Sequence, residues 1–403
     1  MIQLAIFRGK GFDPFLLMMV FQNDEVSMQK LKVLSVFGTR PEAVKMAPVI
    51  KALENSPDIE SIVCITAQHR EMLDQVLALF NITPDIDLDL MKKNQTLADL
   101  TAKILQTLSP VIQSVQPEWI LAQGDTTTVM TTTLLGYYHQ IKVGHIEAGL
   151  RTHNKWEPFP EEINRRIAGV VADLHFAPTQ HSKENLLREG VPDDHIKVTG
   201  NTVIDALNEI SSREPDSATK SLLASLGIPS KKKLVLVTVH RRENFGEPMK
   251  RIFTAINKLA EKYKNDVQFV YPVHLNPKVQ EPARQILGGT PNIQLIDPIS
   301  YLQIIHIIKN ALLVLTDSGG IQEEATAMHI PTLVLRNVTE RPEGVEAGVL
   351  KLVGDDPETI MSEFSNLVDN PSAYSTMAQI ENPFGDGHAA KKIVDHILNY
   401  ECQ

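Results

Sequence analysis

At 403 residues, with 43% hydrophobic and 22% charged residues, the chain has the composition of a soluble globular protein and the length of two domains of about 150–200 residues each. Its 39 Lys and Arg against 49 Asp and Glu leave a net charge of −10, which excludes a default nucleic-acid binder but leaves room for a local basic cleft that takes an anionic small molecule. The two cysteines, Cys64 and Cys402, have neither zinc-ligand spacing nor the density of a disulfide framework, and they suit a reducing cytoplasm.

Arg8 and Lys10 precede an apolar run over 15–21 that is too short to span a bilayer. Asp13 interrupts the approach and no small-residue cleavage site follows, so a signal peptide is disfavoured. Met28 stands just before the first clean strand, and residues 1–30 read as an extension, either an upstream start or an unstructured tail.

From residue 31 short apolar runs alternate with amphipathic stretches. Strands are expected over 32–37, 61–66, 119–122, 143–146 and 174–177, and helices over 41–53, 71–80, 96–115, 127–138 and 160–171. The polar stretch 211–230, with Pro215 and Pro229, lacks a strand and marks a boundary, placed at 205/206. Alternation then resumes, with strands over 233–239, 267–271, 312–316 and 332–335, helices over 249–263 and 320–327, and helical patterns to the end. This order predicts an α/β protein with two Rossmann-like domains, 31–205 and 206–382, facing across a cleft, with a final helical segment, 383–403. Arg40-Pro41-Glu42 and Arg341-Pro342-Glu343 echo each other, each after a strand and before a helical pattern.

Six loops carry chemistry-bearing residues. In the first, Gly38 permits a tight turn, Thr39 and Glu42 fit a capping box, and Arg40 and Lys45 stand at a helix N-terminus, where anions bind. The same pattern also suits an ordinary capped helix with two solvated cations. Asp125 follows a strand and can cap the next helix; Glu147 ends an apolar strand, where a carboxylate has to be paired or functional; Glu161 follows two prolines at a helix start. Three acids so placed are raw material for proton transfer. His240, with Arg241 and Arg242, opens the first loop of the second half and suits a phosphate, or equally a polar interdomain loop. Ser318-Gly319-Gly320, between strand and helix, lets backbone amides approach a diphosphate, with Glu324 one turn on for ribose hydroxyls and Arg336 after the next strand. No phosphate-binding G-x-x-x-x-G-K-[ST], no G-x-G-x-x-G after the first strand and no H-E-x-x-H occurs, so neither a nicotinamide nor a metal is implied.

Taken together, FGTRPEAVKMAP, TAQHREMLDQ, GDTTT, GHIEAGLRT, PFPEEINR, TGNTVIDAL, HRREN, YPVHLNP, TDSGGIQEEA, ERPEGVEAG and NPFGDG resemble, in order, the non-hydrolysing UDP-N-acetylglucosamine (UDP-GlcNAc) 2-epimerases over about residues 31–400. The resemblance implies a GT-B-like fold whose last helix returns to the first domain, a cytoplasmic homodimer, no cofactor or metal, and no nucleic-acid or membrane partner. Carried over, Arg40, Lys45, Asp125, Glu147, Glu161 and His240 match catalytic-site positions, and Ser318, Gly319, Gly320, Glu324 and Arg336 match UDP-binding positions. Gln68, His69 and Arg242 fall where the substrate is implied to act as its own activator. Two positions depart from the family pattern: Ile304 replaces an aromatic residue beside the uracil, and Asn94 an arginine of the activator region.

The implied reaction interconverts UDP-GlcNAc and UDP-N-acetylmannosamine (UDP-ManNAc), a precursor of surface polysaccharide, by anti elimination of UDP to 2-acetamidoglucal and re-addition. The rivals are a GT-B glycosyltransferase, which would share the nucleotide loop, the hydrolysing relative, which would release free ManNAc, and a non-catalytic UDP-sugar sensor, which would not need three acids.

Overall fold

A computed structural model describes residues 30–67, 70–90, 95–229 and 231–400, with the side chains of Glu71 and Met72 left out. Residues 1–29 of the expected extension, Gln68, His69 and Asn94 lie outside the described residues.

The first half runs β1 (Leu31–Phe37), α1 (Arg40–Glu54), β2 (Ile59–Ile65), α2 (Arg70–Phe80), β3 (Ile86–Asp87), α3 (Leu97–Val115), β4 (Trp119–Gln123), α4 (Thr127–Tyr138), β5 (Lys142–Ile146), α5 (Glu161–Val171), β6 (Leu174–Ala177), α6 (Gln180–Arg188), β7 (Ile196–Val198), α7 (Thr202–Ser212) and α8 (Ser217–Ser225). The second runs β8 (Lys233–Thr238), α9 (Glu247–Lys262), β9 (Val267–Pro272), α10 (Pro277–Leu287), β10 (Ile293–Ile296), α11 (Tyr301–Lys309), β11 (Ala311–Thr316), α12 (Gly319–Ala327), β12 (Thr332–Val334), α13 (Pro342–Ala347), β13 (Leu350–Leu352), α14 (Pro357–Asp369), α15 (Pro371–Ala378) and α16 (Ala389–Leu398).

Two parallel sheets result, ordered β3-β2-β1-β4-β5-β6-β7 and β10-β9-β8-β11-β12-β13. The central strands are continuous apolar runs because helices cover both faces of a parallel sheet. Each sheet reverses its winding beside its first strand, between β1 and β4 and between β8 and β11. Ligands bind in the crevice at such switch points. The loops after β1, β4, β5, β8 and β11 hold most of the chemistry-bearing residues singled out in the sequence.

The two halves share one apolar core, in which Met46, Ile50 and Val203 of the first are continuous with Leu302, Ile305 and Ile308 of the second. Helix α7, which spans the expected boundary at 205/206, touches α1 and α16 on one side and α11 and α12 on the other. The chain returns to the first half at its end. There α16 packs on α1, and Tyr400 meets Trp119 edge-on at 5.0 Å. The crossing is tight: the Asn201 amide donates to the Phe384 carbonyl at 2.8 Å, and a Cβ on Gly200 would lie 3.2 Å from the Gly385 Cα.

The sequence pattern passes over β3, β7, β10 and β13, which span two to four residues at or near the sheet edges, too short to show an alternation. The polar stretch 211–230 contains α8, started by Asp216, whose carboxylate accepts from the Thr219 amide. Among the described residues no helix is long and apolar enough to cross a membrane.

Gly149 holds the turn after β5 at φ +91°, and a Cβ there would lie 2.2 Å from the Ser182 carbonyl oxygen, a backbone atom that cannot swing away. Gly149→Ala is expected to destabilise the protein by about 2–4 kcal/mol, read as a lowered midpoint in denaturant unfolding.

Candidate active site

The first wall of the cleft is set by Glu42. Its buried carboxylate accepts from the Gly38 and Thr39 amides, at 3.0 and 2.7 Å, and from the Thr126 hydroxyl at 2.6 Å. It therefore ties the loop after β1 to the start of α4, and the expected capping box with Thr39 is present. No side chain fits at position 38, where a Cβ would lie 1.9 Å from the Thr66 Oγ1. Arg40 and Lys45 consequently face the cleft from the first two turns of α1. Burial lowers the basicity of Arg40, opposed by Glu324 and Tyr301 of the opposite domain.

Glu147 sits just beyond β5 at φ +64°, a left-handed conformation that a non-glycine residue keeps only when its surroundings hold it there. Lys45 Nζ and Gln123 Nε2 donate to its carboxylate, and Asn201 Nδ2 adds a third bond at 3.2 Å. Burial alone would raise its pKa, but Lys45, Arg341 and Arg165 outweigh burial and hold it below the usual range. Asp125 pairs with Arg165 Nη2 at 2.5 Å, and its carbonyl accepts from Asn164 Nδ2 at 2.9 Å. Neighbouring Glu162 is structural: fully buried, it accepts from the Thr152 and His153 amides at 3.1 and 3.2 Å. Glu161 differs from all of these. Its Oε2 is buried without a partner, and burial, helped by the nearby Asp125 charge, raises its pKa despite Arg165 and Arg241.

The opposite wall is organised by Asp317, fully buried after β11. It accepts from the His240 and Arg241 amides at 2.9 and 2.8 Å and from Asn244 Nδ2 at 3.0 Å, fixing the loop after β8. The His240 ring lies 3.4 Å from Asp317 through Nδ1 and stacks on His274 with centroids 5.6 Å apart. Burial lowers its pKa, with Asp317 opposing. Ser318 stands at the N-cap of α12 without a side-chain capping bond, and the first-turn amides of Gly319 and Gly320 have no intrahelical acceptor, an arrangement suited to an anion. Glu324 follows one turn later, and burial together with the adjacent Glu323 pushes it up to about 7. The Tyr301 phenol is near enough to feel the Glu324 charge but is outside good hydrogen-bond geometry. Ile304 is buried one turn along α11.

A chain of buried charges joins the walls. Lys45 Nζ lies 3.6 Å from Glu323, and Glu323 pairs with Arg341 Nε at 2.7 Å. Arg341 packs against the glycine loop, where a Cβ on Gly319 would lie 2.6 Å from its Nη1. Arg336 instead bonds Glu340 through Nη1 and Nη2, at 2.8 and 3.3 Å, and Glu243 through Nε at 2.9 Å. Arg242 is exposed on the same loop as His240.

The structure therefore brings Arg40, Lys45, Asp125, Glu147, Glu161, His240, Ser318, Gly319, Gly320 and Glu324 to one cleft. Sequence reasoning passed over Gln123, Arg165, Asn201, Asp317, Glu323 and Arg341. All but Gln123 lie inside motifs already singled out, and Gln123 directly precedes one. Their roles depend on which side chain of each motif turns inward, information that only the packed fold contains.

Glu324 yields a pH prediction. Its pKa is raised in the fold, to about 7 from 4.5, so its contribution is fully present below 4.5 and is lost as pH rises through 7, by about 3 kcal/mol at most. Measured without nucleotide, Glu324→Gln is expected to raise the melting temperature relative to the unaltered protein more at pH 8 than at pH 5; an equal difference at both would contradict the assignment.

The profile of the UDP-N-acetylglucosamine 2-epimerase family matches residues 51–398. The UDP-N-acetylglucosamine 2-epimerase of Bacillus subtilis is 50% identical over 371 residues, covering 92% of this chain and 96% of its own length. That of Escherichia coli K12 is 49% identical over 372 residues, covering 92% and 99%. The crystal structure of UDP-GlcNAc 2-epimerase from Neisseria meningitidis bound to UDP-GlcNAc aligns with a TM-score of 0.87 at 49% identity, over 92% of this chain and 100% of that one. The Methanocaldococcus jannaschii enzyme in complex with UDP-GlcNAc and UDP aligns with a TM-score of 0.79 at 33% identity, over 92% and 100%. With its two parallel-sheet domains and its acid-lined cleft, this chain belongs to the UDP-N-acetylglucosamine 2-epimerase family.

Proposed function

We propose that this protein interconverts UDP-GlcNAc and UDP-ManNAc by anti elimination of UDP from UDP-GlcNAc, followed by protonation of the 2-acetamidoglucal on the other face of C2 and return of UDP. The observation that carries this reading is the unlike setting of two carboxylates on one wall, Glu147 bonded by Lys45, Gln123 and Asn201 and Glu161 with a buried oxygen that has no partner, opposite a glycine loop suited to a diphosphate; the cations lower the pKa of the first and burial raises that of the second. Pairs of carboxylates driven apart in this way divide the roles of base and acid.

The C2 hydrogen of the sugar is not adjacent to a carbonyl and is barely acidic. Loosening the C1–O bond first builds positive charge at C1 and makes that proton removable. The departing diphosphate is stabilised by Arg40, Lys45, His240, the α12 amides and Arg341, charges fixed before the reaction begins. Arg336, paired with Glu340 and Glu243, keeps its expected place among the nucleotide-binding residues, and Arg341, paired with Glu323, is added to them. In the direction from UDP-GlcNAc, Glu147 removes the proton and Glu161 delivers one, with Asp125 and Arg165 fixing the charge beside Glu161. The roles exchange in reverse. Burial of the cleft between two walls retains the glycal.

The acting form is a homodimer in the cytoplasm. Met130, Leu134, Tyr137 and Tyr138 form a stripe along α4, and Ile163, Ile167 and Val170 form one along α5. Tyr137 is 66%, Tyr138 63% and Val170 87% exposed, an apolar face that a second copy would cover.

The decisive assay follows UDP-GlcNAc in D₂O by proton NMR. UDP-ManNAc carrying deuterium at C2, with UDP still attached at equilibrium, is expected; free ManNAc plus UDP would point to hydrolysis, and an inert sugar to a glycosyltransferase. Glu147→Gln and Glu161→Gln are each expected to slow turnover about 10²–10⁴-fold. From UDP-GlcNAc, rate should fall at low pH as Glu147 gains a proton and at high pH as Glu161 loses one, and Glu161→Gln should remove the high-pH limb.

A further inference from the structure

His145 is a buried titratable residue that the proposed reaction does not use. It lies on β5, two residues before Glu147, and is 1% exposed. Its Nε2 is 2.7 Å from the Gly124 carbonyl oxygen. A carbonyl only accepts, so Nε2 carries the hydrogen and the ring is a neutral donor whose Nδ1 is bare, and that atom is buried without a partner. Burial holds the imidazole neutral, lowering its pKa to about 4, and the nearby Arg151 charge acts in the same direction.

Gly124 is the residue before Asp125, and it stands in the left-handed region at φ +84°. Its N–H donates to the Ile146 carbonyl at 2.9 Å. Consecutive residues of β5 thus hold both polar atoms of Gly124, Ile146 its amide and His145 its carbonyl. Gly124 also borders Glu147, since a Cβ there would lie 3.6 Å from Glu147 Oε2. On the other side α5 holds Asp125 through Asn164 and Arg165. Without the His145 bond the peptide joining Gly124 to Asp125 would lose its only side-chain anchor on β5 among the described residues. A buried carbonyl left unsatisfied turns to find a new partner, and a turn of that peptide re-aims the Asp125 side chain.

We infer that His145 is a positioning residue, whose Nε2–H bond to the Gly124 carbonyl sets the pose of Asp125 between Glu147 and Glu161. The inference rests on the proposed part of Asp125 in the reaction. It does not concern nucleotide binding, because the peptide that His145 holds joins none of the groups assigned to the nucleotide, Arg40 and Lys45 on α1 and the glycine loop, Glu324 and Arg341 of the other domain.

The test compares two amides of similar bulk. The Gln side chain places its N–H₂ near the position of Nε2, whereas Asn stops short of it. His145→Asn is expected to lower kcat about 10–100-fold, as a misplaced catalytic group does, with KM and the affinity for UDP within about twofold. His145→Gln is expected to recover most of that loss. A role confined to stability would lower the melting temperature and leave kcat per folded molecule unchanged. Equal loss in both variants, near-normal kcat in His145→Asn, or failure of both to fold would overturn the inference. Asp125→Asn is assayed alongside: near-normal turnover there would place the error in the catalytic reading, whereas a large loss there with a normal His145→Asn would place it in His145.

Discussion

The structure depends on one buried charge sequence, Glu147–Lys45–Glu323–Arg341, that runs from the first domain into the second. Charges removed from water are costly unless each is paired, and removal of one partner from such a set leaves another uncompensated. Each domain pairs two of the four charges within itself, Lys45 with Glu147 and Arg341 with Glu323, and the 3.6 Å contact of Lys45 with Glu323 links the two pairs across the walls. The same arrangement holds the Glu147 carboxyl below its usual range despite burial, through the charges of Lys45 and Arg341. Stability and chemistry are thereby linked through the same side chains, and the strained Glu147 backbone at φ +64° is a local cost borne by its three hydrogen bonds.

Around that line buried carboxylates on both walls organise backbone, Glu42 and Glu162 on the first and Asp317 on the second. Glu42 gathers the loops after β1 and β4, and Asp317 gathers the loop after β8. Acids therefore fall into two classes here: those that accept from backbone amides hold loops in place, whereas Glu147 is bonded by side chains alone and Glu161 keeps a buried oxygen without a partner. Glu161 and Glu162 show the contrast within one dipeptide, since Glu162 holds the amides of Thr152 and His153 while Glu161 keeps an oxygen without a bond.

Much of this was legible in the sequence. Strands such as those at β1, β4 and β8 announce themselves as apolar runs, and the loops after them carry the glycine, acid and basic residues that a switch-point site needs. What stayed hidden is directional. Adjacent acids on a helix point about 100° apart, so the expectation for Glu324 gave no hint that its neighbour Glu323 would turn to Lys45 and Arg341. Arg336 and Arg341 lie five residues apart in one loop region, and only the fold shows that the first pairs with Glu340 and Glu243 while the second pairs chiefly with Glu323 beside Gly319. The short outer strands β3 and β13 owe their conformation to their neighbours in the sheet rather than to their own composition.

The central claim is that the C1–O bond to UDP breaks before C2 is inverted. Positional isotope exchange tests it directly. UDP-GlcNAc labelled with ¹⁸O in the bridge between C1 and the β-phosphorus is incubated with the protein and recovered. A broken bond lets the β-phosphate rotate, so label is predicted in non-bridging positions of the recovered nucleotide sugar. Label that stays in the bridge while deuterium enters C2 would show that the bond never opens, and would contradict the elimination.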